Sequence, residues 1–174
     1  MDIRVFQNKD GSIVQIIDKK KMEEWPIELP LIFIEYMKNN LLKTYDDNKV
    51  RKEVENYLDE ILNDVAIPRL IDVLESDKED EILEALIRLD ALSKKNIDQM
   101  ESIKPYLTKL KSLKNKEIQN LLGSISDQFD KEEHRKELVA KRKLMQQKEK
   151  EFLEGKISGE DYAKIRKEYL LLRG

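Results

Sequence analysis

AIPRLIDVLESDKEDEILEALIRLDALSKK, residues 66–95, decides how this chain is read. Ile67, Leu70, Ile71 and Leu74 make one short apolar face at helical spacing. ESDKED then turns the chain, and Ile82, Leu83, Ala85, Leu86, Leu89 and Leu92 make a longer face. Pro68 falls in the first turn of the shorter helix, where its missing N–H costs little.

Sliding the sequence by 36 residues lays this unit on the next without a gap. Ile67 falls on Ile103, Leu74 on Leu110, Ser76 on Ser112, Lys78 on Lys114, Glu81 on Glu117, Ile82 on Ile118 and Leu86 on Leu122. A slide of 32 brings in the preceding segment more loosely, with Leu42 on Leu74, Val50 on Ile82, Val54 on Leu86 and Tyr57 on Leu89. Turn and apolar positions come into register together, the mark of stacked helical repeats. Three helix pairs are expected across residues 30–129. In the first, residues 31–43 are followed by the break TYDDN and a helix over 50–62 capped by Asp47 or Asn48.

The stretch AIPRLIDVLESDKEDEILEALIRLDALS resembles an armadillo or HEAT repeat: an Ile-Pro opening, a Leu-rich helix, a Ser/Asp-bearing turn, then a Glu-rich helix with Ala and Leu at packing spacing. SIKPYLTKLKSLKNKEIQNLLGSI is a degraded copy with Gly123 near the small-residue position. The short extra helix of armadillo repeats is missing, so HEAT-like is the closer name. The resemblance implies a curved α-solenoid presenting a surface to proteins or peptides, and implies no chemistry.

Composition agrees with long solvated helices: 40% of the 174 residues are charged, only 6% are aromatic, and there are 5 Gly and 4 Pro. With no cysteine, disulfides, thiolate metal sites and cysteine nucleophiles are excluded, and a cytoplasmic address is expected. No apolar run is long enough to span a bilayer, and MDIRVFQNKDG lacks the features of a signal peptide, so no membrane association is expected. A formal charge of -3 argues against a general nucleic-acid binder. His134, the one histidine, stands between Glu133 and Arg135 on a charged helix, which assembles neither a zinc site nor a nucleophilic triad. The five glycines form no phosphate-cradling loop. Carboxylate pairs such as Asp46 with Asp47 and Glu79 with Asp80 fall in turns and first helical turns, where they cap. No cofactor, metal or enzymatic activity is expected.

Residues 1–29 read as a β-hairpin and connector. Ile3 and Val5 alternate, NKDG supplies a turn with Gly11 at the position needing positive φ, and residues 13–17 form a β-branched run. Such a hairpin must lie on the helices, pair with another chain or remain mobile. Pro26 and Pro30 set an extended connector, with Pro30 in the first turn of the next helix. Trp25 reads as a core residue pinning the hairpin, or else as an exposed anchor.

Residues 130–174 read as a helical hairpin. Asp130 with Glu133 has the form of a capping box, and helical residues then run to Glu154 with Gly155 as the stop. Leu138, Met145 and Phe152 recur every seven residues. Ser158 opens a last helix whose Tyr162, Ile165, Tyr169 and Leu172 supply the facing stripe. EFLEGKISGEDYAKIRKEYLLL resembles the short C-terminal hairpin domain called SHOCT at Gly155, Ile157, Ser158, Glu160, Asp161, Tyr162 and Leu170, which implies an oligomerisation or docking element. An end-capping hairpin closing the solenoid is the plainer alternative.

The expected function is that of a non-catalytic adaptor binding a protein partner on the second helices of the pairs. Glu84, Arg88, Gln119 and Asn120 are the contacts, and Leu86, Leu89 and Leu122 hold the stack. One alternative is a homo-oligomer in which the hairpin stripe packs on another subunit. Another is anion or nucleic-acid contact through Lys141, Arg142 and Lys143, although i, i+4 pairing with nearby glutamates explains those charges equally well.

Overall fold

The computed structural model describes residues 3–7, 9–42 and 47–174; the expected helix end at Lys43, Asn8 of the hairpin turn and residues 44–46 of the TYDDN break lie outside them. The chain is mainly helical, with one two-stranded antiparallel sheet at its N-terminus. β1 (Ile3–Gln7) and β2 (Ile13–Ile17) pair with Phe6 opposite Val14 and Arg4 opposite Ile16. Gly11 takes φ +85, as the tight turn requires.

The hairpin lies on the helices. Phe6, Val14 and Ile16 are buried, while Val5, Ile13 and Ile17 face outward. The decisive partner is Tyr57, whose ring centroid lies 6.0 Å from that of Phe6. Its hydroxyl accepts the Lys19 N–H at 2.6 Å and donates to the Ile17 carbonyl at 3.0 Å, closing two backbone groups that leave the sheet. Burial holds the Tyr57 phenol above its ordinary pKa.

A single turn, α1 (Lys19–Met22), follows and buries Met22 completely. The connector is turned and not extended as expected: Trp25 N–H bonds back to Met22 O and Leu29 N–H to Pro26 O. Trp25 is partly buried, edge-on to Phe33 at 6.2 Å, so it pins the connector to the next helix. That helix, α2 (Glu28–Tyr36), carries Pro30 in its first turn and ends in a π turn, Met37–Leu41.

α3 (Asn48–Ile61) starts at Asp47, whose carboxylate accepts the Lys49 N–H at 2.9 Å. Here the structure departs from the expected helix pairs. No turn separates residues 62 and 67: Leu62–Ala66 is a π turn closed by Ile67 N–H to Leu62 O, and it runs straight into α4 (Ile67–Leu74). Pro68 therefore sits inside a continuous helix, where it offers no N–H to the Asp64 carbonyl and its ring crowds that oxygen. Widening the preceding turn relieves the clash. The same widening buries Val65, Ala66 and Ile67 in succession, with α2 packed against the π turn.

The later helices bury the apolar positions that the 36-residue slide aligns. α5 (Glu79–Asn96) leads through two 3-10 turns, Ile97–Gln99 and Glu101–Ile103, to α6 (Lys104–Leu110) and α7 (Lys116–Leu153). Ile67 and Ile103, Leu74 and Leu110, Ile82 and Ile118, and Leu86 and Leu122 are all buried. Contacts between the units repeat at nearly constant separation. Asn115 donates to Glu79 across 36 residues at 3.2 Å, Ser124 to Asp90 across 34 at 2.5 Å, and Lys109 to Glu75 across 34 at 3.4 Å. Because both members of each contact advance together, α5 and α7 lie side by side and run in the same direction.

The expected start of a new helix at Asp130 is also corrected: α7 runs unbroken for 38 residues, roughly 57 Å at 1.5 Å per residue. A capping box works only where a helix begins and its first N–H groups lack partners. At Asp130 the helix already continues from Phe129, so nothing there awaits a cap. Ile118, Leu122, Ile125 and Phe129 bury one stripe against the body. Beyond residue 136 the helix leaves the body, stops at Glu154 and Gly155 (φ +70), and returns as α8 (Gly159–Arg173) from the Ser158 cap. The hairpin is a projecting arm, and no residue of α8 is buried.

Candidate functional site

A wide apolar opening lies between α2 and α5. These helices are 60 residues apart in sequence and are joined by two ion pairs: Arg88 to Glu28 at 2.8 Å and Lys95 to Glu35 at 3.6 Å. The pairs fall seven residues apart on both helices, so α2 and α5 are parallel and the bridges cross the space between them about 10 Å apart. Between the bridges an open groove of about 540 Å³ is floored by Leu31, Ile34, Leu62 and Leu92. The π turn helps shape this floor, since it brings Leu62 under α2. Ile32 is 59% exposed at the groove edge, and Ala91 stands on the facing helix.

Of the four expected partner contacts, Arg88 lines this groove. Arg88 is half-buried and is held by both Glu28 and Glu84, the latter at 3.6 Å, so it braces the wall instead of reaching outward. Glu84 is the exposed end of that chain. Gln119 stands elsewhere: its amide donates to the carbonyls of Leu110, Lys111 and Leu113 and closes the α6–α7 turn. Asn120 is exposed on α7. The α2 half of the groove was missed by sequence reading, although Glu28 and Glu35 repeat the spacing of Arg88 and Lys95 with opposite charge.

Comparison with protein families, curated proteins and solved structures finds no match to this chain.

The expected hairpin stripe is brought together within the chain. Phe152 stacks on Tyr162 at 5.4 Å with planes 8° apart, and Lys141 bonds Glu168 at 2.8 Å. Residue numbers rise along α7 as they fall along α8, so the helices are antiparallel. Leu138, Met145, Tyr162, Ile165, Tyr169 and Leu172 are half-buried along this seam. The basic triplet does not form one patch, because successive helical residues point about 100° apart. Lys141 lies in the seam, where Glu168 holds its ammonium above the ordinary lysine pKa; Arg142 and Lys143 are exposed on other faces.

His134 is exposed on α7. Among the described residues no group of three or more His, Asp or Glu side chains is placed to hold a metal ion, and no helix is long and apolar enough to cross a membrane.

Proposed function

We propose that this protein is a non-catalytic adaptor whose α2–α5 groove takes the apolar face of an amphipathic helix from a partner protein. The carrying observation is the groove itself: an open apolar floor framed by two ion pairs that fix the distance between its walls. A helix laid across such a floor inserts side chains at i, i+3 or i+4 spacing, and its polar flanks meet Glu35, Lys38 and Lys95 at the rim. The stack of α4–α7 is the rigid mount. Its repeating contacts at separations of 34 and 36 support a HEAT-like reading of that portion. The residues that set the groove are packing and ion-pair residues, which suits recognition by shape.

A photo-crosslinking residue in place of Ala91, used in native lysate, tests this reading. A single protein crosslinked through an amphipathic segment, and lost when Ile32→Glu is added, is the expected result. Crosslinking unaffected by Ile32→Glu would move the binding surface off the groove. Ile32 is exposed, so that substitution leaves the fold intact.

A further inference from the structure

The arm sorts its charges by side. Half-buried positions follow 3, 4, 3 spacing on both helices, Leu138, Lys141, Met145 and Lys148 on α7 and Tyr162, Ile165, Tyr169 and Leu172 on α8, with Glu151 half-buried beside Lys148. Because these helices are antiparallel, residues that follow the second seam position of each repeat emerge on one side of the hairpin. Those that precede the first position emerge on the other. Arg142, Arg166 and Arg173 are of the first kind, and Glu149, nearer the tip, is the exception. Glu137, Glu151, Asp161, Glu168 and Leu144 are of the second kind.

Mostly like charges therefore share each side of a single arm, with Glu149 the carboxylate among the arginines, an arrangement that weakens it in isolation. Lys141 and Lys148 relieve the acidic side by pairing with Glu168 and Glu151. The arginine side has no such relief: among the described residues Arg142, Arg166 and Arg173 have no carboxylate within 4.0 Å. Both sides also expose apolar residues. Leu170 (50%) and Val139 (42%) flank the arginines, and Leu171 (73%) and Leu144 (39%) flank the acids.

We propose that arms of separate copies of this chain dock side to side, the arginine side of one against the acidic side of the next. The complementarity is both electrostatic and apolar; a phosphate backbone would leave Leu170 and Val139 uncovered. Charge along the chain favours contact at the arms alone. Residues 1–130 carry 20 Lys and Arg against 27 Asp and Glu, so bodies repel, whereas residues 131–174 carry 13 against 9. The seam stays filled within each chain, so this association differs from packing of the hairpin stripe on another subunit. It uses two different surfaces per copy, and growth is open-ended unless the rotation closes a ring. The flank of so short an arm makes a small interface, hence a weak one.

Sedimentation of the full chain at low salt should show average mass at least doubling between about 10 and 500 µM, the range expected of a small interface. About 1 M salt should return it to monomer. Two double variants discriminate the geometry: Arg142→Glu with Arg166→Glu, and Glu137→Lys with Leu144→Lys. None of these four residues has a carboxylate or ammonium partner that the fold depends on, and circular dichroism checks that helix content is kept. Each variant alone should remain monomeric, and an equimolar mixture of the two should recover the mass increase. If a double variant loses helix, the neutral pair Arg142→Gln with Arg166→Gln replaces it and should lower assembly at least threefold. A parent chain that is monomeric at every concentration, or a mixture of folded variants that does not recover assembly, overturns the proposal. So does salt-sensitive binding of a labelled RNA by a chain that remains monomeric.

Discussion

Residues 116–129 and residues 137–153 belong to one helix and live in two environments. The first stretch puts Ile118, Leu122, Ile125 and Phe129 into the core, each 6% exposed or less. The second has no buried residue, and neither has α8, its packing partner. Hydrophobic stabilisation scales with apolar area removed from water, so the body is a cooperative unit and the arm a marginal one tethered to it. Continuous helical geometry does not imply continuous stability.

The largest effect that could break this contrast is a cavity in the body. Leu86 is fully buried where α5 meets α7, and Leu86→Ala should cost about 2 to 5 kcal/mol in chemical denaturation. Leu171→Ala in the arm should stay within about 0.5 kcal/mol. Equal costs would remove the distinction.

Next in size is the join between hairpin and helices. Tyr57→Phe leaves the Lys19 N–H and the Ile17 carbonyl without their buried partner and should cost about 1 to 3 kcal/mol, read from the denaturation midpoint at unchanged slope. Phe152→Ala sharpens the other side of the comparison. Loss of the stack on Tyr162 should weaken the arm by about 1 kcal/mol, visible as faster exchange of α8 amides while the body midpoint holds.

The smallest effect concerns acid. Burial pushes the Asp90 carboxyl up, but hydrogen bonds from Lys94 and then Ser124 outweigh it and hold the group below the ordinary 3.8. A depressed folded pKa gives stability that is present above the unfolded value and lost as pH falls through the folded one. Between about pH 4 and pH 2, Asp90→Asn should therefore show a shallower loss of stability than the parent. A parallel loss in both proteins would mean that Asp90 does not tie α5 to α7 as its contacts suggest.

Local signals in the sequence were legible where they ask little of the rest of the chain. The Asp47 and Ser158 caps, the positive φ at Gly11 and Gly155, and the apolar register of α4–α7 all follow from single residues or short periods. What failed depends on distant partners. Alternation in β1 marks two faces, yet both carry apolar residues, and only Tyr57, some fifty positions on, selects Phe6 over Val5 as the inward one. Asp130 and Glu133 have the letters of a helix start, but a cap forms only if the preceding turn ends, and Phe129 is held in the core by Ile125 and Leu122 spacing. Pro68 reads as a helix opening because proline usually is one there; the π turn of Leu62–Ala66 makes room for it mid-helix. The candidate groove was half legible for the same reason. Arg88 and Glu84 stand on a helix with clear periodicity, while Glu28, Leu31 and Ile32 lie across the fold on a segment whose apolar residues point every way.

The measurement that tests the central contrast most directly is amide hydrogen exchange along α7 in the full chain at neutral pH. Amides in residues 118–129 should be strongly protected and those in residues 138–153 less so by at least about tenfold, with the change falling within two or three turns of Glu133. Uniform protection from Ile118 to Leu153 would contradict that contrast, because the arm would then share the cooperative core of the body.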